Sequence, residues 1–178
     1  RNSTPLCPIS YLLSPVSHLK SPISYFLPTP PCYSPLMTGR TPRILCVGLT
    51  PALQQTMEFP RITCGEVNRA ARTTVTVAGK AANVARVLHT LGAGPILTGF
   101  NGGESGRRLL RLLAAEGLRQ RFVACPQPTR TCVTVVEGTP PRVTELVEEA
   151  TLPGPAYWRE LQALLESLLR GVHAVAAS

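Results

Sequence analysis

The stretch "VAGKAANVARVLHTLG", Val77 to Gly92, decides how the rest of this chain is read. Val84, Val87, Leu88 and Leu91 fall at the i, i+3, i+4, i+7 spacing of one helix face. That spacing predicts a helix from about Ala81 to Leu91, with Gly92 as its C-terminal cap. A plain amphipathic helix does not need Gly79, Lys80 and Asn83 at its mouth. Glycine lets the backbone approach a ligand. Unpaired N–H groups and the helix dipole favour negative charge. Lys80 adds a point charge, and Asn83 adds an amide that bonds hydroxyls. The spacing is not the G-x-x-x-x-G-K-[ST] of a generic nucleotide loop. On these residues alone, a helix with an exposed lysine and a polar first turn reads equally well.

Outward from this stretch the chain alternates between strand and helix. "RILCVGL", from Arg43, is a short apolar strand of the buried, parallel-sheet kind. "PILTGF" and "RFVAC" read as further strands, and "VHAVAAS" as another buried one at the end of the chain. A second helix is predicted from about Ser105 to Glu116, carrying Leu109, Leu110, Leu112 and Leu113 and stopping at Gly117. A third is predicted from about Ala156 to Arg170, with Tyr157, Leu161, Leu164, Leu165 and Leu168 on one side. Strand–helix alternation implies an α/β fold, a mostly parallel sheet flanked by helices. The alternating runs at 72–77, 130–137 and 142–146 do not suit a sheet buried on both faces. They read as a smaller β flap with one wet face, its last two strands joined through "GTPP".

Composition narrows the function. The net charge is +8, yet the arginines are scattered apart from Arg107, Arg108 and Arg111, which read as a solvated helix face. Aromatic residues make up only 5%, too few for a base-stacking platform, so nucleic acid is not an expected partner. No apolar run reaches membrane-spanning length. The six cysteines form no C-x-x-C pair, and no histidine stands at zinc spacing. Cys46 and Cys132 lie in apolar strands as buried free thiols, which points to a reducing, cytoplasmic setting. All ten acidic residues are glutamates; the chain contains no aspartate.

Residues 1–36 stand apart. They hold eight of the 18 prolines and seven serines, with no acidic residue. Proline at this density excludes helix and sheet interiors, and the expectation is a disordered, non-native extension. A transit peptide would be richer in arginine and amphipathic. The first methionine is Met37, so the folded unit is expected over 37–178.

Here a resemblance enters. "AGKAANVARVLHTLG" resembles the first signature of the ribokinase-like (phosphofructokinase B-type) sugar kinases, G-G-K-G-x-N-V-A-R in the nearest branch. "LTPALQQT" (49–56) is similar to its L-N-P-A-L-D-x-T, and "GEVNR" (65–69) to the lead into its flap strand. "TGFNGGESGRRLLRLLAAEGL" is similar to its G-x-x-G-G-x-x-G segment and the helix after it. "PTRTCVTVVE" resembles its E-T-R strand, and "LPGP" its G-P turn. The nearest branch is that of 1-phosphofructokinase and tagatose-6-phosphate kinase. The resemblance implies transfer of a phosphoryl group from ATP, with Mg²⁺, to a phosphorylated ketohexose. It also implies that Gly79, Lys80, Asn83 and Gln54 hold the sugar and that Arg130 holds its phosphate, with Arg69 a second candidate. Gln54 stands where the family has Asp, and Thr50 where it has Asn. The family's catalytic Asp, in a late G-A-G-D motif, has no counterpart up to Ser178, and the expectation is that it lies beyond. Two alternatives stay open: a non-catalytic sugar-phosphate-binding relative, and a homodimer paired through the flap strands.

Overall fold

The computed structural model describes residues 41–178, so the expected disordered extension over 1–36 lies outside the described residues. Among the described residues, ten strands and three helices follow one another: β1 (Arg43–Val47), β2 (Ala52–Phe59), β3 (Arg72–Ala78), α1 (Lys80–Thr90), β4 (Gly94–Thr98), β5 (Phe100–Gly102), α2 (Gly103–Ala115), β6 (Arg119–Gln120), β7 (Val123–Cys125), β8 (Arg130–Gly138), β9 (Pro141–Leu146), α3 (Pro155–Leu169) and β10 (Ala174–Ala177). The main sheet runs β10-β1-β4-β6, all parallel. β5 and β7 form a short parallel pair. "PILTGF", read as one strand, is two, because the chain breaks at Gly99. Gly99 has φ +155°, and a Cβ there would lie 2.0 Å from the carbonyl oxygen of Gly48, so only glycine permits this crossing.

The flap is a second sheet, β3-β2-β8-β9. It contains all three runs that alternate in the sequence, and β8 and β9 form the expected hairpin. β2, which the sequence did not mark as a strand, lies at its centre, antiparallel to β3 and parallel to β8. Its two glutamines and its Thr–Met–Glu run blur the period-2 pattern, and its strand character comes from pairing on both edges.

One core joins the two sheets. Cys46 and Leu97 of the main sheet, Ala81, Ala82 and Ala85 of α1, Leu109 and Leu113 of α2, and Leu53 and Val77 of the flap all belong to it. The face of α1 differs from expectation. Val84, Val87 and Leu91 are exposed, at 38%, 60% and 61%, and the buried face is the alanine face. Small residues let the helix lie close on β1 and β4, and Leu88 alone of the predicted stripe packs partly into the core. In α2 the expected leucines do pack inward. In α3, Leu161 is buried, with Tyr157, Leu164 and Leu165 around Phe100 and Val123 in a second cluster. β10 was expected to be buried, but among the described residues it is a largely exposed edge strand paired only with β1.

Candidate active site at the mouth of helix α1

Parallel α/β sheets bind ligands outside the carboxyl ends of their strands. A cleft of ≈ 170 Å³ opens there. Gly48 to Pro51 line it just after β1, and Ser178 just after β10; Leu97 and Phe122 add apolar surface. Gly79, Lys80, Ala81 and Ala82 enter it from the start of α1, and Arg130 from the start of β8.

The α1 mouth has the features that favour negative charge. Gly79 is the N-cap, with φ +122°, a conformation that side-chain-bearing residues rarely adopt. No side chain caps the helix and no acidic residue stands in its first turn, so the dipole is not neutralised from within. The Gly79 carbonyl accepts the Asn83 N–H at 3.0 Å, which fixes the turn. Lys80 is exposed beside it.

Arg130 faces this mouth from the flap. Its Nη1 donates to the Glu148 carbonyl at 3.2 Å, and its Nε is buried without a partner among the described residues. The neighbouring Thr131 N–H donates to the Glu148 carboxylate at 2.7 Å, pinning the strand. A guanidinium with donors to spare suits the oxygens of a phosphate. A second cavity of ≈ 20 Å³ shares Arg130, Leu49, Thr50 and Pro51, room for about one water molecule.

The structure brings three of the six sequence-derived candidates together: Gly79, Lys80 and Arg130. Gln54 does not line the cleft; its Nε2 donates to Thr134 Oγ1 at 2.7 Å and to the Cys132 carbonyl at 3.4 Å. Asn83 is exposed, its Oδ1 accepting from Arg86 Nη1 at 2.9 Å, because it follows the buried alanines out to the solvent side of α1. Arg69 lies exposed in the loop between β2 and β3, away from the cleft lining. Gly48, Phe122 and Ser178 line the cleft without having been picked out. The strand-end rule marks Gly48 and Ser178; Phe122 has no signal in the sequence.

Glu137, at the far end of β8, is buried and steadies the flap. Its carboxylate accepts the Ile62 N–H at 3.1 Å and an Arg142 N–H at 2.9 Å, and these hold it below the usual carboxylate range. Burial pushes the Cys46 thiol up. Among the described residues no three His, Cys, Asp or Glu side chains converge as metal ligands. Among the same residues no helix is long and apolar enough to cross a membrane.

A parallel sheet, a flap sheet and a cleft between a helix mouth and the flap define an α/β protein of the ribokinase-like class. Residues 41–177 match the family model for the pfkB family carbohydrate kinases, and the chain belongs to that family. It is 36% identical over 129 residues to the 1-phosphofructokinase of Rhodobacter capsulatus, covering 72% of this chain and 41% of that protein. The fold is similar to that of Escherichia coli phosphofructokinase-2 solved with fructose-6-phosphate, at TM-score 0.70 and 21% identity over 78% of this chain and 45% of that one. It is likewise similar to a possible 1-phosphofructokinase of Thermotoga maritima, at TM-score 0.70 and 22% identity over 76% of this chain and 44% of that one. The chain thus spans less than half the length of these relatives.

Proposed function

We propose that the chain is the sugar-phosphate-binding part of an ATP-dependent kinase acting on a phosphorylated ketohexose, of the 1-phosphofructokinase or tagatose-6-phosphate kinase type. The observation that carries this reading is the pairing of Arg130 with the uncapped mouth of α1 and Lys80 across one cleft. Two cations and a helix N-terminus hold an anion well. In this reading the apolar lining of Leu97 and Phe122 shelters the sugar, while Mg²⁺ arrives with the phosphates of ATP. ATP and Mg²⁺ supply the transferable group and its charge neutralisation. The described residues bind and orient the acceptor. The relative from Rhodobacter capsulatus supports the 1-phosphofructokinase type.

The second reading is a sugar-phosphate-binding relative that performs no phosphoryl transfer. Gln54, standing where the family has Asp, favours it, since an amide bonds a hydroxyl but carries no charge. The open edge of β9 supports a homodimer paired through the flaps. Free Cys46, Cys64, Cys125 and Cys132 support a reducing, cytoplasmic setting.

Calorimetric titration of the chain with fructose 1-phosphate, fructose 6-phosphate, tagatose 6-phosphate and fructose tests both readings. Each expects binding of at least one phosphate ester and not of fructose. Binding without turnover by this chain fits both, since the kinase reading places the catalytic Asp outside it; turnover of ATP by a longer protein that carries this chain together with the family's G-A-G-D segment selects the kinase, and none there selects the second reading. Equal affinity for fructose and its phosphates contradicts both.

A further inference from the structure

Arg130 lines both the cleft and the smaller cavity of ≈ 20 Å³. Its Nε is buried and has no hydrogen-bond partner among the described residues. Gln127, in the loop just ahead of β8, lines the same small cavity, and its Oε1 is likewise buried and unpartnered among them. One of these orphaned atoms is a donor and the other an acceptor. Three other polar side chains of the lining are already engaged. Asn101 Nδ2 donates to the Gly106 carbonyl at 2.9 Å, Thr129 Oγ1 accepts the Gly102 N–H at 3.2 Å, and Cys125 Sγ donates to the Gln127 carbonyl at 3.5 Å.

Buried polar groups are almost always hydrogen-bonded. Arg130 Nε and Gln127 Oε1 do not bond each other directly. A water molecule joins such a pair: its oxygen accepts the Nε–H, and one of its O–H groups donates to Oε1. The cavity has the volume of about one water, and two polar partners meet the minimum that a buried water needs.

We propose that one water molecule bound in this cavity bridges Arg130 Nε to Gln127 Oε1, and that Gln127 is thereby a positioning residue for Arg130. The Glu148 carbonyl holds Nη1 of the same guanidinium. The second Nη1 hydrogen and both on Nη2 are then left for the oxygens of a ligand in the cleft. A guanidinium held at two points loses less freedom when it meets a phosphate, which favours binding. Gln127 touches no ligand; it acts through the water and Arg130. The positioning role rests on the sugar-phosphate reading above, and the water site does not.

The test has two arms, both on the whole chain. The first is a crystal structure, in which an ordered water should stand within about 2.7–3.2 Å of both Arg130 Nε and Gln127 Oε1. An empty cavity, or a direct bond between the two side chains, overturns the proposal. The second arm is the calorimetric affinity for fructose 1-phosphate, fructose 6-phosphate and tagatose 6-phosphate. Gln127→Met keeps the length of the side chain and removes the acceptor. It should weaken binding by about threefold to tenfold. Arg130→Lys keeps the charge and lacks the Nε–H, so in that background Gln127→Met should change nothing further. Equal weakening in both backgrounds, or none with Arg130 present, makes Gln127 only a loop residue and overturns its positioning role while the functional reading stands. If the water is present and the parent chain binds none of the three esters, the functional reading falls and takes the positioning role with it.

Discussion

Replacing Gly48 with alanine puts a methyl group into the root of the cleft. The new Cβ would stand 2.6 Å from the Cβ of Ala81, whereas carbon atoms pack at about 3.5–4.0 Å. Ala81 is 5% exposed and has no rotamer to change, so β1 and the first turn of α1 must separate by about 1 Å. Overpacking of this kind costs about 1–3 kcal/mol. A second change isolates the contact. Ala81→Gly removes the obstructing methyl at its own cost of about 0.5–1 kcal/mol for glycine in a helix. Gly48→Ala introduced on top of Ala81→Gly should then cost less than about 0.5 kcal/mol, a coupling of about 1–2 kcal/mol. Equilibrium urea unfolding followed by circular dichroism measures all four corners. The thermal midpoint of Gly48→Ala should drop by roughly 2–4 °C per kcal/mol lost. Sugar-phosphate binding should fall with it and return in the double variant, because the α1 mouth moves with Ala81. Additive costs, with no recovery, would refute the claim that Gly48 is glycine to let the helix mouth meet the strand.

Three further substitutions read other parts of the structure. The Glu137 carboxylate is held below its ordinary range, so folding favours its ionised form; that contribution is complete above about pH 4.3 and fades as pH falls through the lowered value. Glu137→Gln should therefore flatten the acid side of the stability–pH curve, and an unchanged acid slope would remove Glu137 from the account. Val87→Ala, on the exposed side of α1, should alter stability by less than about 0.5 kcal/mol, while Leu109→Ala, fully buried, should cost about 2–5 kcal/mol. A large loss at Val87 would mean that the alanine face is not the buried one.

The fold was largely legible because its elements carry local signals. "RILCV" is short and apolar, and Gly92 and Gly117 take the positive φ expected where α1 and α2 end. The face of α1 was not legible. Periodicity ranks residues by hydrophobicity, and Val84, Val87 and Leu91 outrank the alanines, yet close approach to the sheet selects the smaller side chains. β2 was hidden for a related reason: its place is set by partners at both edges, not by its own pattern. At the site, Gly79 and Lys80 stood out at a helix mouth and Arg130 through the family resemblance, and all three line the cleft. Asn83 and Gln54 do not line the cleft, each holding a hydrogen-bond partner, Arg86 or Thr134, that a motif does not display.

The central claim is that Arg130 and the mouth of α1 receive the phosphate of a sugar ester. The most direct measurement is the calorimetric affinity for the tightest-binding of the three ketohexose phosphates, in the parent chain, in Arg130→Ala and in Arg69→Ala. A hydrogen bond to a charged group is worth about 1.5–3 kcal/mol, so Arg130→Ala should weaken binding by roughly tenfold to a hundredfold. Arg69, exposed and away from the cleft lining, should be replaceable without loss. An unchanged affinity in Arg130→Ala, or a loss confined to Arg69→Ala, would place the phosphate elsewhere and contradict the account.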